Sequence, residues 1–368
     1  MVDKPRDITA TITATITETI KDPSDGDAHD PVQRASRLGY DELAREAPAL
    51  RDRINRFRTA LGRFFVAKQP LIDLMCVAAV AQEPLLLVGP PGTAKSDLVI
   101  KFKDALKITE AEYFEYLLTR FTEPSEVFGP IDIAELRAGR YLRRDRGKLP
   151  TARLVFLDEI FKANSAILNS LLTVINERKF YQDGQPVPVK LRILLAATNE
   201  LPENVELAAL KDRFCLKAAC RSVQDEHFVE LIDAGLDAYT QRELHQKPWV
   251  EGHATLEDFV KAHRWLTHQL ARRTLGPDGA ELRDRDVYCS PEILRELRRV
   301  LKTLVREDGV FVSDRKVVKL YRLLRTHAWL LHGGAIERGD LRLLSYLGET
   351  RDEIDLLEDK VPRLLGLA

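Results

Sequence analysis

The segment GPPGTAKS, from Gly89 to Ser96, places a lysine and a hydroxyl directly after a glycine-rich stretch. That combination suits phosphate chemistry. Glycines let the backbone curl so that its N–H groups face an anion at a helix N-terminus. A lysine then reaches the β- and γ-phosphates, and a serine ligates magnesium. Gly89, Pro90, Pro91, Gly92, Thr93, Ala94, Lys95 and Ser96 are the candidate nucleotide-binding residues. Ala94 stands where the general pattern G-x-x-x-x-G-K-[ST] has its second glycine. A negative φ at the start of the following helix would reconcile alanine with the loop.

Two further runs end in residues that fit the same chemistry. LVFLDE closes with adjacent acids, Asp158 and Glu159. At the carboxyl end of a buried strand, where ligands of open α/β sheets bind, Asp158 can hold magnesium through water. Glu159 can orient and deprotonate an attacking water. LLAATN ends in Asn199, a polar residue able to hold that same water.

These residues need elements to position them. Residues 84–89, ARLVFLDE and RILLAATN are continuous apolar runs, the signature of strands covered on both faces. Helical stretches lie between them, which implies a parallel sheet. Upstream, Leu50, Ile54, Phe57, Leu61 and Phe64 recur at threes and fours, and Pro70 suits the first turn of a second helix. Beyond Arg221–Gln224 the strand-like runs stop and the rest reads as helices. The expected organisation is a flexible tail over 1–39, an α/β nucleotide-binding core over 40–222 and a helical domain over 223–368. Within the tail, Ile8, Ile12, Ile16 and Ile20 recur every fourth residue, too few to order it alone. A docking arm that orders on a partner is the alternative.

The composition sets outer bounds. The chain has 368 residues, 31% charged and 45% hydrophobic, with a net charge of -1. A soluble globular protein fits these values, and nothing global points to nucleic acid or an acidic membrane. The helical region has no strongly basic stripe, so no nucleic-acid partner is expected. The four cysteines form no C-x-x-C pair and read as reduced packing residues, which suits a cytoplasmic location. No apolar run reaches the ~18–20 residues of a membrane span, and the first residues lack a secretory pattern. The eight histidines are scattered without ligand spacing, so the expected metal site is Ser96 with Asp158 alone.

GPPGTAKS, VFLDEIFKANSAILNSLLTVINERKF, LLAATNELPE, LKDRF and VSDRKVVKLYRLL, in this order across residues 50–345, resemble the MoxR family of AAA+ ATPases. The likeness is greatest to its RavA-type branch. TRFTEPSEVFGP (Thr119–Pro130) is similar to a segment of that branch, and so is Ala94. The resemblance implies a P-loop core with a parallel sheet and inserted hairpins, followed by an all-helical lid. It implies a hexameric ring binding ATP and Mg2+ between neighbours. Arg213 in LKDRF would complete the next subunit's site, and Arg315 in SDRKVV would be the second sensor, fixed by a Ser313 or Asp314 cap.

The family's two insertions read here as a hairpin around Ala138-Gly139 and another at Asp183-Gly184. The first is basic, with Arg140, Arg143, Arg144, Arg146 and Lys148 against Asp145. It is either a solvated face or a contact for an acidic partner or a threaded substrate. The implied function is ATP-driven, chaperone-like remodelling of a partner bearing a von Willebrand factor A domain. The alternatives are a chelatase-like subunit driving metal insertion and a nucleotide-gated binding module with little turnover. The branch's extra discontinuous domain beyond the lid has no counterpart before Ala368.

Overall fold

The computed structural model describes residues 31–204, 207–276 and 279–367. The isoleucine stripe of the expected tail lies outside them. The chain opens with helices α1 (Pro31–Gly62) and α2 (Gln69–Ala81). Leu50, Ile54, Phe57 and Leu61 of α1 are buried, as their spacing predicts. Pro70 sits in the first turn of α2, and Gln82, at φ 52, ends it in the left-handed conformation.

The core follows as β1 (Leu85–Val88), α3 (Lys95–Ala105), β2 (Tyr113–Leu117), α4 (Pro124–Phe128), α5 (Ile133–Arg137), β3 (Leu154–Asp158), α6 (Ser165–Glu177), β4 (Lys179–Gln182), β5 (Gln185–Pro188), β6 (Ile193–Thr198), α7 (Ala208–Lys211) and β7 (Leu216–Ala219). Five strands make one parallel sheet in the order β2-β3-β6-β1-β7. Side chains alternate across it. Leu85, Leu87, Phe156 and Leu195 enter one core with α1 and α2. Leu86, Val88, Val155 and Leu194 enter a second core with α6. This two-faced cover is why β1, β3 and β6 are apolar up to the last residues of β3 and β6, Asp158 and Thr198.

The two insertions differ from each other. β4 and β5 form the expected antiparallel hairpin. The first insertion is not a two-stranded hairpin. Asp132 accepts from the N–H groups of Ala134 and Glu135, so its first arm coils into α5. The bridge Ile131–Arg143 and the Arg144–Asp132 ion pair close it.

The chain continues as α8 (Phe228–Glu243), α9 (Leu256–Ala271), β8 (Arg273–Leu275), β9 (Glu281–Arg283), α10 (Asp284–Tyr288), α11 (Pro291–Glu307), α12 (Asp314–Leu331), a 3-10 stretch (Arg338–Tyr346) and α13 (Arg351–Leu364). It is helical apart from the short β8–β9 hairpin. α9 packs on α1 and α12 on α2. Phe57, Phe102 and Phe259 meet edge to face, joining the two parts in one core.

A polar link joins them too. Lys217 in β7 and Lys316 in α12 are both fully buried. Their ammonium groups donate to one oxygen of Glu349, at 3.0 and 2.5 Å. Burial brings Lys217 down to about 8 even with Glu349 beside it. All four cysteines are free and buried, and burial pushes each thiol up. Among the described residues no helix is long and apolar enough to cross a membrane.

The lid holds a titrating cluster. Asp340, at the start of the 3-10 stretch, meets His327 at 2.6 Å and His332 at 3.1 Å. Burial alone would raise the Asp340 carboxyl, but hydrogen bonds from the two histidines bring it down to about 2. The bond to Asp340 raises His332 against the pull of burial. The raised His332 stabilises the fold fully below the free imidazole's pKa, about 6.5, and less as pH rises through its folded value. The depressed Asp340 stabilises it above about 3.9 and less as pH falls toward 2. The Tm gap between wild type and His332→Gln is therefore expected to be wider at pH 6 than at pH 8.5, by about 2–4 °C for each kcal/mol. A gap that is constant in thermal melts across this range contradicts the assignment.

Candidate functional site

Three strand ends converge at the carboxyl edge of the sheet. The glycine-rich loop leaves β1 and enters α3. Gly89 is squeezed there: its N–H donates to Thr198 O at 3.1 Å, and a Cβ would stand 2.3 Å from Cys220 O. Gly92 has φ 81. Thr93 Oγ1 donates to Pro90 O at 2.8 Å and pins the loop.

Ala94 departs from the sequence expectation. Its φ is 66 and its ψ 19, the left-handed region that the missing glycine would occupy freely. Its carbonyl nevertheless accepts the first bond of α3, from Leu98 N at 2.9 Å. The alanine is held there by the closed loop before it and the helix after it. Ala94→Gly should stabilise the protein by roughly 0.5–1 kcal/mol, the relief of Cβ strain less the unfolded-state entropy of glycine. Urea titration measures this, and a lower midpoint for the variant refutes the strain.

Lys95 is buried. Its ammonium donates to Gly89 O at 2.5 Å, Pro90 O at 2.9 Å and Asn199 Oδ1 at 3.1 Å. All three acceptors are neutral. Asn199 turns its Nδ2 to Glu159 Oε1. This amide orientation follows from chemistry, since the lysine only donates and the carboxylate only accepts. Lys95, Asn199 and Glu159 thus form one chain across the ends of β1, β6 and β3.

Glu159 owes its direction to its backbone. At φ 52 and ψ 44 it is left-handed, a conformation non-glycine residues rarely hold without need. Asp158 Oδ1 accepts from Glu159 N at 2.9 Å and steadies the turn. Lys162, one turn on, lies 3.4 Å from Glu159 Oε1. Asp158 is half-buried at the strand end, and Ser96 half-buried in the first turn of α3.

The residues fit a nucleotide with magnesium. A buried ammonium with only neutral partners lacks the negative charge that phosphates carry. Among the described residues no three His, Cys, Asp or Glu group around a metal. Magnesium does not need such a cage, since it takes one or two protein ligands plus phosphate oxygens. Ser96 and Asp158, both half-buried at this edge, are the residues that would hold it.

Arg213 and Arg315 make a second, separate group. Arg213 pairs with Asp212 at 3.2 Å, yet its buried Nε has no partner. Burial, and then the charge of Arg315, depress the Arg213 guanidinium. Ser313, not Asp314, caps α12: its hydroxyl accepts from Lys316 N and donates to Asp212 Oδ1, both at 3.2 Å. Asp212 and Ser313 thereby fix the two arginines beside each other. Among the described residues neither arginine bonds to Lys95, Asn199 or Glu159. Sequence reasoning missed the Asp212–Ser313 link. Its one signal was a serine able to cap a helix.

Comparison with known proteins adds the following. A family model described as the MoxR domain in the MoxR-vWA-beta-propeller ternary systems matches residues 52–257. A second, for an AAA lid domain, matches residues 291–360. An uncharacterized protein of Methanocaldococcus jannaschii is 32% identical over 80% of this chain and 70% of its own length. The chaperone MoxR1 of Mycobacterium tuberculosis is 25% identical over 52% of this chain, which spans 49% of that protein. A crystal structure of a candidate ATPase from Cytophaga hutchinsonii superposes with a TM-score of 0.64 at 13% identity, over 89% of this chain and 98% of that one. That last likeness is one of fold.

Proposed function

The chain belongs to the MoxR family of AAA+ ATPases, and on that premise we propose that it hydrolyses ATP with magnesium and uses the cycle to remodel a partner protein. The observation that carries the hydrolytic reading is the Lys95–Asn199–Glu159 chain. Lys95 exchanges its neutral acceptors for β- and γ-phosphate oxygens. That exchange releases Asn199 Oδ1, which then accepts a hydrogen of the attacking water. Glu159, aimed by its left-handed backbone and held by Asn199, takes the water's proton on a carboxylate oxygen. Bound magnesium would neutralise charge on the phosphate oxygens from its place at Ser96 and Asp158.

Arg213 and Arg315 act in this reading on the site of an adjacent subunit. Two guanidiniums near each other, one of them paired with Asp212, are suited to an added anion, and a leaving γ-phosphate is one. The site is then shared between copies, as in a hexameric ring of the RavA type. The partner is a protein with a von Willebrand factor A domain, a proposal supported by the family's description, which names vWA and β-propeller components. We propose the same division into core over 40–222 and lid over 223–368.

Phosphate release from Mg-ATP tests the reading directly. The wild-type chain should turn over ATP, and Lys95→Ala should lose both turnover and the binding of a fluorescent ATP analogue. Tight binding with no turnover by the wild type would instead identify a nucleotide-gated binding module.

A further inference from the structure

We propose that α8 and the acidic turn before it dock onto a second copy of this chain, which receives them on the basic, apolar face formed by residues 117–148 and β4. The helix is built inside out. None of its 16 residues is buried. Phe228, Ile232, Leu236 and Tyr239 recur at fours and threes along one face, exposed by 62, 47, 61 and 64%. Its half-covered positions are Ala234, Ala238 and Gln241, on the opposite side. A helix amphipathic for its own core turns the large side chains inward. Here the small ones face the molecule and the large ones face outward, which marks a surface meant for another protein.

Charge selects the occupant. Asp225, Glu226, Glu230, Asp233, Asp237 and Glu243 make the turn and the helix acidic, against Arg242 alone. The receiving face has the opposite sign. Arg140 and Arg144 pair there with Glu135 and Asp132, whereas Arg137 and Arg146 have no carboxylate partner among the described residues. Apolar groups interleave with these charges: Phe121, Ile133, Leu136 and Tyr181 are exposed. A groove of about 280 Å³ opens between Phe128, Arg143, Phe180 and Tyr181. An acidic apolar ridge and a basic apolar groove on one chain make a head-to-tail contact, the kind that closes into a ring.

The choice of a second copy rests on the proposed function, in which Arg213 and Arg315 serve a neighbour's nucleotide. α8 fits that arrangement because it follows β7 from the edge of the sheet where Cys220 meets Gly89.

Sedimentation velocity of the full chain with Mg2+ and a slowly hydrolysed ATP analogue tests the contact. The wild type should assemble. Leu236→Glu with Tyr239→Glu should raise the dissociation constant at least tenfold, with an unchanged circular dichroism spectrum. So should Asp233→Lys with Asp237→Lys, and Arg137→Glu with Arg146→Glu. Combining the two charge reversals in one chain should restore assembly. The proposal is overturned by a monomeric wild type, by helix variants that assemble normally, or by failure of the combined variant to recover. A monomer that captures a different protein through α8 overturns it as well. Analogue binding, followed separately by fluorescence, keeps the outcomes apart. Assembly without nucleotide binding sinks the hydrolytic reading and leaves the docking surface standing.

Discussion

Arg213→Ala is expected to lower ATP turnover by about 10³-fold or more, with ATP binding unchanged within a few-fold. The reason is positional. Arg213 lies beside Arg315, with a buried Nε lacking a partner, and outside the Lys95–Asn199–Glu159 chain. In the proposed reading its own subunit's phosphates are held by other groups, so affinity should survive its loss. The leaving γ-phosphate of a neighbour loses its counter-charge. Arg213→Lys should rescue little, because an ammonium lacks the planar fork that spans two phosphate oxygens. Mixing gives the sharper result. Arg213→Ala keeps an intact loop, and Lys95→Ala keeps an intact arginine pair, so mixed assemblies should regain part of the activity that each lacks alone. Activity in the mixture no greater than the sum of the two variants would place Arg213 outside a shared site.

Glu159→Gln is expected to cost turnover about 10²–10⁴-fold while ATP stays bound. Glutamine keeps the size of the side chain, and its amide oxygen can still accept from Asn199 Nδ2. The left-handed backbone at residue 159 and the Asp158 hydrogen bond that steadies it are untouched. Only the proton acceptor is gone. Single-turnover experiments separate the two steps, with normal binding followed by a stalled chemical step. A variant that hydrolyses at the wild-type rate removes Glu159 from the mechanism. The stalled form is also the bait of choice in cell extract. A von Willebrand factor A protein retained by Glu159→Gln and not by Lys95→Ala identifies the partner. Equal recovery by both separates partner binding from ATP.

The parts of the fold that could be read in advance are those where a single physical rule dominates. β1, β3 and β6 are covered on both faces and so are apolar without interruption. β7 escaped because Lys217 stands inside it, and the carboxylate that makes this tolerable, Glu349, lies 132 residues away in the chain. β2 escaped as an edge strand whose Tyr113–Leu117 includes the exposed Glu115. The loop motif identified Lys95, and the apolar runs identified Glu159 and Asn199 as residues at strand ends. It could not show the hydrogen bonds that join them, which depend on a left-handed turn at Glu159 that no composition encodes. The same blindness to φ left Ala94 resting on a condition, a negative φ, that the structure does not meet at φ 66. In the first insertion the Asp132 cap won over the turn signal at Ala138-Gly139. The meeting of Arg213 with Arg315 depends on how α12 lands on the sheet, which is a matter of tertiary packing.

Glu349 decides how the molecule comes apart. Parting the helices from the sheet would leave Lys217 in the interior without its anion, while Lys316 would keep Glu349 beside it. Losing one partner of a buried ion pair costs about 3–5 kcal/mol, a large share of the 5–15 kcal/mol that holds a typical domain together. The edge strand and the helices should therefore melt as one cooperative unit, although a long stretch of chain separates them. Limited proteolysis at the exposed α8 should nick the chain without releasing either half. A swing of the helical part away from the sheet has to part Glu349 from Lys217, whereas β7 stays tied to β1 by its backbone ladder, so the ion pair resists such a motion over and above the link through the chain itself.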